Sequence, residues 1–341
     1  MNICDRKPRF SNLLRVLRCE VPDRPTLFEF FMNIPLYEIL AGRKEHYNSY
    51  LDIMKLTIDA YRNAGYDYAT VYASDFKFEI NSKQQKSTLS LNEGMVITDR
   101  ESFNAYNWPN PEDYDYSRLE QIKDYLDNDM KLMVMGPDGV LENVTKLVGY
   151  DNLCYMLYDD PQLVKDIFDS VGIRLVKYYE IAAQYDSVGV LISNDDWGFN
   201  TQTLLSTDDL RKYVFPWHKK IVEVIHNASK PAILHSCGYM NEVMEDIITY
   251  MRFDGKHSFE DNIFSVEDSY KRWGSRISIL GGIDVQFLCN SSEGEIKKRC
   301  ENMLKLTAGK GGYALGSGNS IPDYIPLNKY LAMIKTAFEF Y

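Results

Sequence analysis

No apolar run in the chain approaches the roughly 20 residues needed to cross a bilayer, and several common signatures are missing altogether. There is no GxGxxG after the first apolar segment, no P-loop, no CxxC pair, no internal repeat, no low-complexity tract and no Pro/Gly/Ser-rich linker. Each absence removes a class. Without the glycine fingerprints, dinucleotide and nucleoside triphosphate folds are disfavoured. The six cysteines, Cys4, Cys19, Cys154, Cys237, Cys289 and Cys300, are scattered, which fits reduced thiols better than a disulfide framework. Basic charge is also short, with 38 Lys plus Arg against 49 Asp plus Glu and a net charge of −11. That balance argues against nucleic acid or an anionic membrane as the main partner. The opening MNICDRKPRF carries charges where a signal peptide needs its apolar segment. The expectation is a cytoplasmic protein.

What is present is a long alternation. About eight short apolar segments, at 26–31, 68–73, 131–136, 187–193, 231–236, 253–259, 276–282 and 312–318, are separated by helical patterns at 47–62, 116–128, 161–184, 207–227, 239–250, 292–308 and 327–340. A further helical pattern at 11–19 precedes them. Parallel strands with crossover helices follow from that order, and eight units in 341 residues predict an α/β fold, a single-domain (β/α)8 TIM barrel over 1–341. The open doubly wound sheet is the alternative. Residues 76–100 break the alternation and read as a polar hairpin inserted after the second apolar segment.

The most informative stretch is AILHSCGY, residues 232–239. An apolar run ends in His235 and Cys237, which strand alternation puts on one side. Imidazole and thiolate are zinc's preferred donors, so this strand end offers half of a tetrahedral site. The plainer reading is a cysteine packed as a small hydrophobe beside a hydrogen-bonded histidine.

In a parallel barrel the pocket is lined by residues at the C-terminal ends of the strands. Here they are strongly polar: Asn33, Asp75, Asp195, Asp196 and Trp197 in SNDDWG, His257 and Glu260 in KHSFED, and Ser317 and Asn319 in GSGNS. Donors at nearly every strand end favour a reaction or ligand site. SNDDWG also reads as a capped turn with Trp197 packed on the rim, and His257 as a structural histidine.

The segments LLRVLRCEVPDRP (13–25), SFNAYNWPNP (102–111), YDDPQLVKDIFD (158–169), DDWG (195–198), ILHSCG (233–238), ILGGID (279–284) and GSGNSIPDYIP (316–326) resemble the uroporphyrinogen decarboxylase-like superfamily. That group includes the haem-pathway decarboxylase and the cobalamin- and coenzyme M-linked methyltransferases. The decarboxylase clamps its polyanionic substrate with arginine near the first strand, where this chain reads LFEFFMN. Asp75 matches the family aspartate that bonds the pyrrole nitrogens, whereas Val144 and Asn319 stand where a tyrosine and a histidine are expected.

The methyltransferase branch holds zinc through the HxCG pair, which His235 and Cys237 match, and through a cysteine in the last loop, where this chain has Asn319. The resemblance therefore implies a zinc-dependent methyltransferase or demethylase component, moving a methyl group between a small substrate and a corrinoid protein. His235 and Cys237 are the expected zinc ligands, with the third to come from Asp196, His257 or Glu260. Asp195, Asp196, His257 and Glu260 are the expected catalytic residues. Asn33, Asp75, Trp197, Ser317 and Asn319 are the expected substrate contacts. The alternatives are a metal-free decarboxylase of a smaller carboxylate, using Asp75 and His257, and a non-catalytic ligand-binding relative. Barrels of this size often pair, which leaves a homodimer open.

Overall fold

The computed structural model describes residues 3, 5–44, 46–80, 92, 94–127 and 129–340. Seven strands form one parallel sheet in chain order: β1 (Tyr68–Tyr72), β2 (Lys131–Met135), β3 (Val188–Asn194), β4 (Ala232–His235), β5 (Gly255–His257), β6 (Ser278–Leu280) and β7 (Tyr313–Ala314). Each neighbouring pair is parallel, and β4 and β5 run in a register that sets His235 against His257. Most strand residues are buried, as expected for a parallel sheet covered by helices. Among the described residues no helix is long and apolar enough to cross a membrane.

The covering helices form for local reasons. Tyr50–Asn63 opens with a Ser49/Asp52 capping box, and Pro161–Ala182 begins with Pro161 behind an Asp160 cap. Glu293–Thr307 repeats the box with Ser292 and Glu295. Leu327–Glu339 packs on Glu293–Thr307. Short helices at Ile34–Ala41, Val140–Val148, Val266–Trp273 and Val285–Asn290 were not apparent in the periodicity, since each spans only two turns or so. The helix expected at 116–128 is reduced to two short turns at 118–121 and 123–125, and the one expected at 239–250 to a wide turn at Asp246–Met251. The hairpin expected at 76–100 lies largely outside the described residues; its described flanks, 76–80 and 94–99, contain no strand.

The main departure from the eight-stranded expectation is the segment 26–32. It runs beside β7 and is tied there by bridges Leu27–Leu315 and Met32–Ile321, but no backbone ladder joins it to β1 among the described residues. Phenols take that place. The Tyr68 hydroxyl donates to the Glu29 carbonyl at 2.7 Å and accepts from the Glu29 amide at 2.7 Å. Tyr61 donates to the Phe30 carbonyl at 3.1 Å, and the Met32 amide donates to the Tyr37 hydroxyl at 2.9 Å. Buried peptide groups must find partners, and here side chains supply them where a strand neighbour would.

Tyr68→Phe leaves the buried Glu29 amide without its acceptor and takes one of two phenol donors from the Glu29 carbonyl, the other being Tyr61 at 3.3 Å, so it is expected to cost roughly 1–3 kcal/mol in urea denaturation. The same change at exposed Tyr158 serves as the control and is expected to be neutral within error.

Candidate metal centre

The C-terminal ends of β3, β4 and β5 carry the densest group of polar side chains. His235 ends β4 and is buried, with Phe30 stacked on its ring at a centroid distance of 4.2 Å. Two residues on, Cys237 sits half-buried in the loop. Gly238 sets the path of the loop beyond it: its φ is +89°, and a Cβ there would lie 2.2 Å from the Gly198 carbonyl oxygen. Only glycine satisfies both conditions, so the loops after β3 and β4 touch directly. That contact brings Asp196 to Cys237, whose amide donates to Asp196 Oδ1 at 2.8 Å.

Three ligand atoms converge as a result. One each from Asp196, His235 and Cys237, they all lie within 4.8 Å of one another. His235 Nε2 is 3.6 Å from Cys237 Sγ and 3.9 Å from Asp196 Oδ1.

The proton positions are set by the partners. His257 Nε2 faces the Ser317 carbonyl oxygen at 3.2 Å, an acceptor only, so Nε2 carries the hydrogen. Burial lowers the His257 imidazolium to about 3, which leaves the ring neutral and its Nδ1 bare. That Nδ1 is 2.8 Å from His235 Nδ1, which therefore donates. Burial, with His257 and Lys256 adding to it, keeps His235 neutral as well, and so its Nε2 lone pair points at Cys237 and Asp196. This is the tautomer a metal ligand requires.

The sulfur is held by two donors. Ser258 Oγ donates at 3.4 Å and Asn319 Nδ2 at 3.3 Å, the Asn319 amide being oriented by its own Oδ1 accepting from the Ser320 amide at 2.8 Å. Burial and then Asp196 push the Cys237 thiol up, and burial raises Asp196 too. A thiolate at this position therefore calls for a cation beside it. Lys256 faces the other side of β5. Its Nζ donates to the Ser258 carbonyl at 2.6 Å and stands 4.3 Å over the Phe259 ring, with burial lowering it to about 8.

Glu260 is half-buried and makes no hydrogen bond or ion pair through its carboxylate among the described residues. Burial, then Asp284 and Asp196, raise it. It borders an open cleft of about 640 Å³ that also touches Asn319, Ser320, Asp284 and Tyr324.

Other expected site residues are held in contacts within the fold. Asp195 was expected to be catalytic, but it is fully buried, and its oxygens accept from the Leu141 and Glu142 amides at 2.9 Å and face His218 Nε2 at 2.8 Å. It caps the helix Val140–Val148 from outside, with both oxygens engaged and none of its surface open to solvent. Trp197, expected at the substrate, is fully buried against Phe215 and His218. Asn33 caps Ile34–Ala41 by accepting from the Leu36 amide and donates to the Ile321 carbonyl. Asp75 projects outward and pairs with Arg118 at 2.8 Å. His257 stands behind His235, both of its ring nitrogens engaged by His235 and the Ser317 carbonyl, and Ser317 lies behind His257.

The residues missed from sequence are Glu29, His218, Lys256 and Ser258. Glu29 left one signal, an acid inside an apolar strand-like run, which calls for a buried partner. Its Oε1 lies 2.5 Å from the Ser317 hydroxyl.

A parallel α/β sheet with soft and hard donors gathered at its strand C-termini defines the class in which reaction sites lie at that edge. A sequence model of the uroporphyrinogen decarboxylase (URO-D) family matches residues 10–340, and the chain belongs to that family. Among solved structures it is similar to a methyltransferase from Methanosarcina mazei, with a TM-score of 0.70, 17% identity, and coverage of 96% of this chain and 98% of that one. That likeness shows the fold. More distantly, a candidate vitamin-B12 independent methionine synthase from Listeria monocytogenes gives a TM-score of 0.48 at 15% identity, over 93% of this chain and 99% of that one. No curated protein sequence matches.

Asp195→Ala strands two backbone donors and His218 in a dry layer, and is expected to cost roughly 3 kcal/mol in chemical denaturation. Asp196→Ala removes the acceptor of one amide, that of Cys237, from a side chain that still keeps an edge in solvent, and is expected to cost about 1 kcal/mol in the same measurement on metal-free protein.

Proposed function

We propose that this chain is a zinc-dependent methyltransferase or demethylase component that moves a methyl group between a small substrate and a corrinoid protein. The observation that carries the reading is the convergence of Asp196, His235 and Cys237 within 4.8 Å, with the His235 lone pair facing the other two. One nitrogen, one sulfur and one oxygen donor suit zinc, and three protein ligands leave a position for substrate, the pattern of catalytic rather than structural sites. Family membership and the fold shared with a methyltransferase support the same reading.

In this reading Asp196 takes the place that the family gives to a cysteine in the last loop, and Asn319 turns from ligand position to hydrogen-bond donor. The ligand charge is unchanged, a carboxylate standing in for a thiolate. Bound zinc supplies Lewis acidity toward a substrate sulfur or oxygen. The chain's residues do the rest. Ser258 and Asn319 hold the Cys237 sulfur as an acceptor, and Glu260, unpaired at the edge of the cleft, takes the proton of the substrate's thiol or hydroxyl. The cleft beside Asn319 admits the small substrate. The segment 26–32 completes the barrel as its eighth member, and the chain acts as one domain. Tetrapyrrole decarboxylation is disfavoured, because LFEFFMN offers no arginine and Asp75 is paired with Arg118.

Elemental analysis of the purified protein is expected to find about one zinc per chain, lowered at least tenfold in occupancy by His235→Ala or Cys237→Ser at equal protein folding. Methylcobalamin consumption in the presence of a small thiol, followed by absorbance, is expected to fall in parallel. Metal-free wild-type protein, or a His235→Ala variant with unchanged zinc and turnover, overturns the reading.

A further inference from the structure

Behind the metal-binding edge lies a buried group with no part in the function so far, the Glu29 carboxyl. It is fully buried, and among the described residues no basic side chain bonds to it. Its side-chain partner is Ser317, and the Phe30 amide also faces it. Oε2 accepts from the Ser317 amide at 3.4 Å, and Oε1 lies 2.5 Å from the Ser317 hydroxyl. That hydroxyl is also bonded to the Asn319 carbonyl oxygen. A hydroxyl has one hydrogen, and a carbonyl oxygen and a carboxylate oxygen are both acceptors, so an ionised Glu29 would leave one of these two contacts without a proton.

We propose that Glu29 is a protonated carboxylic acid and a positioning residue for the metal-binding edge. Its Oε1–H donates to Ser317 Oγ, and the Ser317 hydroxyl is then free to donate to the Asn319 carbonyl. Every acceptor receives a proton, and the loop 316–320 is fixed at two points. From that loop two arms reach the ligands. The Ser317 carbonyl sets the His257 tautomer and through it that of His235, while the Asn319 amide donates to Cys237 Sγ.

Burial raises the Glu29 carboxyl to about 8 against the opposing pull of hydrogen bonds from Ser317 and the Phe30 amide, which agrees with the proton count. The titratable groups around it are the phenols of Tyr37, Tyr61, Tyr66, Tyr68 and Tyr330, all of them raised by burial and neutral. Across Ser317 stands the neutral His257.

The positioning role rests on the metal reading, but the protonation does not. In the unfolded chain Glu29 ionises at about pH 4.5, and in the folded chain at about pH 8, so the native state holds the extra proton between these values and stability falls as pH rises through that window. Glu29→Gln keeps an N–H donor toward Ser317 Oγ and has no charge to bury. Its thermal midpoint is expected to lose that decline, standing above wild type by several degrees at about pH 9 relative to about pH 6, with zinc affinity unchanged. Ser317→Ala cuts the link and is expected to weaken zinc binding on the order of tenfold. It is also expected to mix the imidazole tautomers of His235 in nitrogen NMR of the metal-free protein. A direct check is the infrared carboxylic-acid difference between wild type and Glu29→Gln, a band expected at neutral pH and lost well above pH 8.

Absence of that band, or a Glu29→Gln midpoint with wild-type pH dependence, overturns the protonated acid. Ser317→Ala with unaltered tautomers overturns the positioning. Wild-type protein that takes up no zinc removes the metal reading and leaves the infrared and tautomer results to decide on Glu29 and Ser317.

Discussion

A single proton shared between two ring nitrogens organises the edge of this sheet. His235 and His257 meet Nδ1 to Nδ1 at 2.8 Å, a contact that tolerates one hydrogen and no more. Two hydrogens would clash, and none would set lone pair against lone pair. The Ser317 carbonyl breaks the tie by claiming the far nitrogen of His257. The direction of the whole chain of bonds is thereby set by a backbone group, which has no protonation state to change. The strand register that pairs His235 with His257 is what makes the contact possible at all.

Holding two imidazoles neutral requires a dry setting, and the packing provides one. Phe30 stacks on His235, and the Phe28 ring lies 5.1 Å from that of His257. Alternation along the segment then turns Glu29, between the two phenylalanines, to the opposite side, among tyrosines. The same rule separates neighbours on β5: His257 joins the histidine pair while Lys256 turns away to the Ser258 carbonyl. The lysine charge is thus kept close to Asp196, Cys237 and Glu260 without touching them. Where polar groups are buried here, they are mostly answered by fixed backbone groups, which costs less ordering than pairing two long side chains.

Much of this was legible in the chain. Alternation of apolar runs and helical periods gave the parallel sheet in its correct order, and the two-residue spacing of His235 and Cys237 placed them together. SNDDWG held both of its readings at once: Asp196 joins the ligand atoms, whereas Asp195 caps a helix and Trp197 packs. Nothing in the local sequence separates two adjacent aspartates, because the difference arises from which loop each meets, Asp196 at Cys237 and Asp195 at Val140–Val148. The partner of Glu29 was hidden for a related reason. One acid in TLFEFF looks like a tolerated exception until the last loop, almost three hundred residues later, delivers Ser317 to it. The segment 26–32 reads as an ordinary strand, since its composition is that of one, and only the tyrosines opposite reveal that its second side is bonded differently.

Those tyrosines make a different kind of join. A ladder between strands has a spacing fixed by peptide geometry, and it can be changed only by shifting every residue along it. At the join between 26–32 and β1 the two sides are linked by two phenols, Tyr68 from β1 itself and Tyr61, which reaches both the Phe30 carbonyl and Thr70 of β1. Since Phe30 of that segment stacks on His235, a change of phenol at this join is felt at the histidine pair as well, although the seven-stranded ladder has no bond to lose by it.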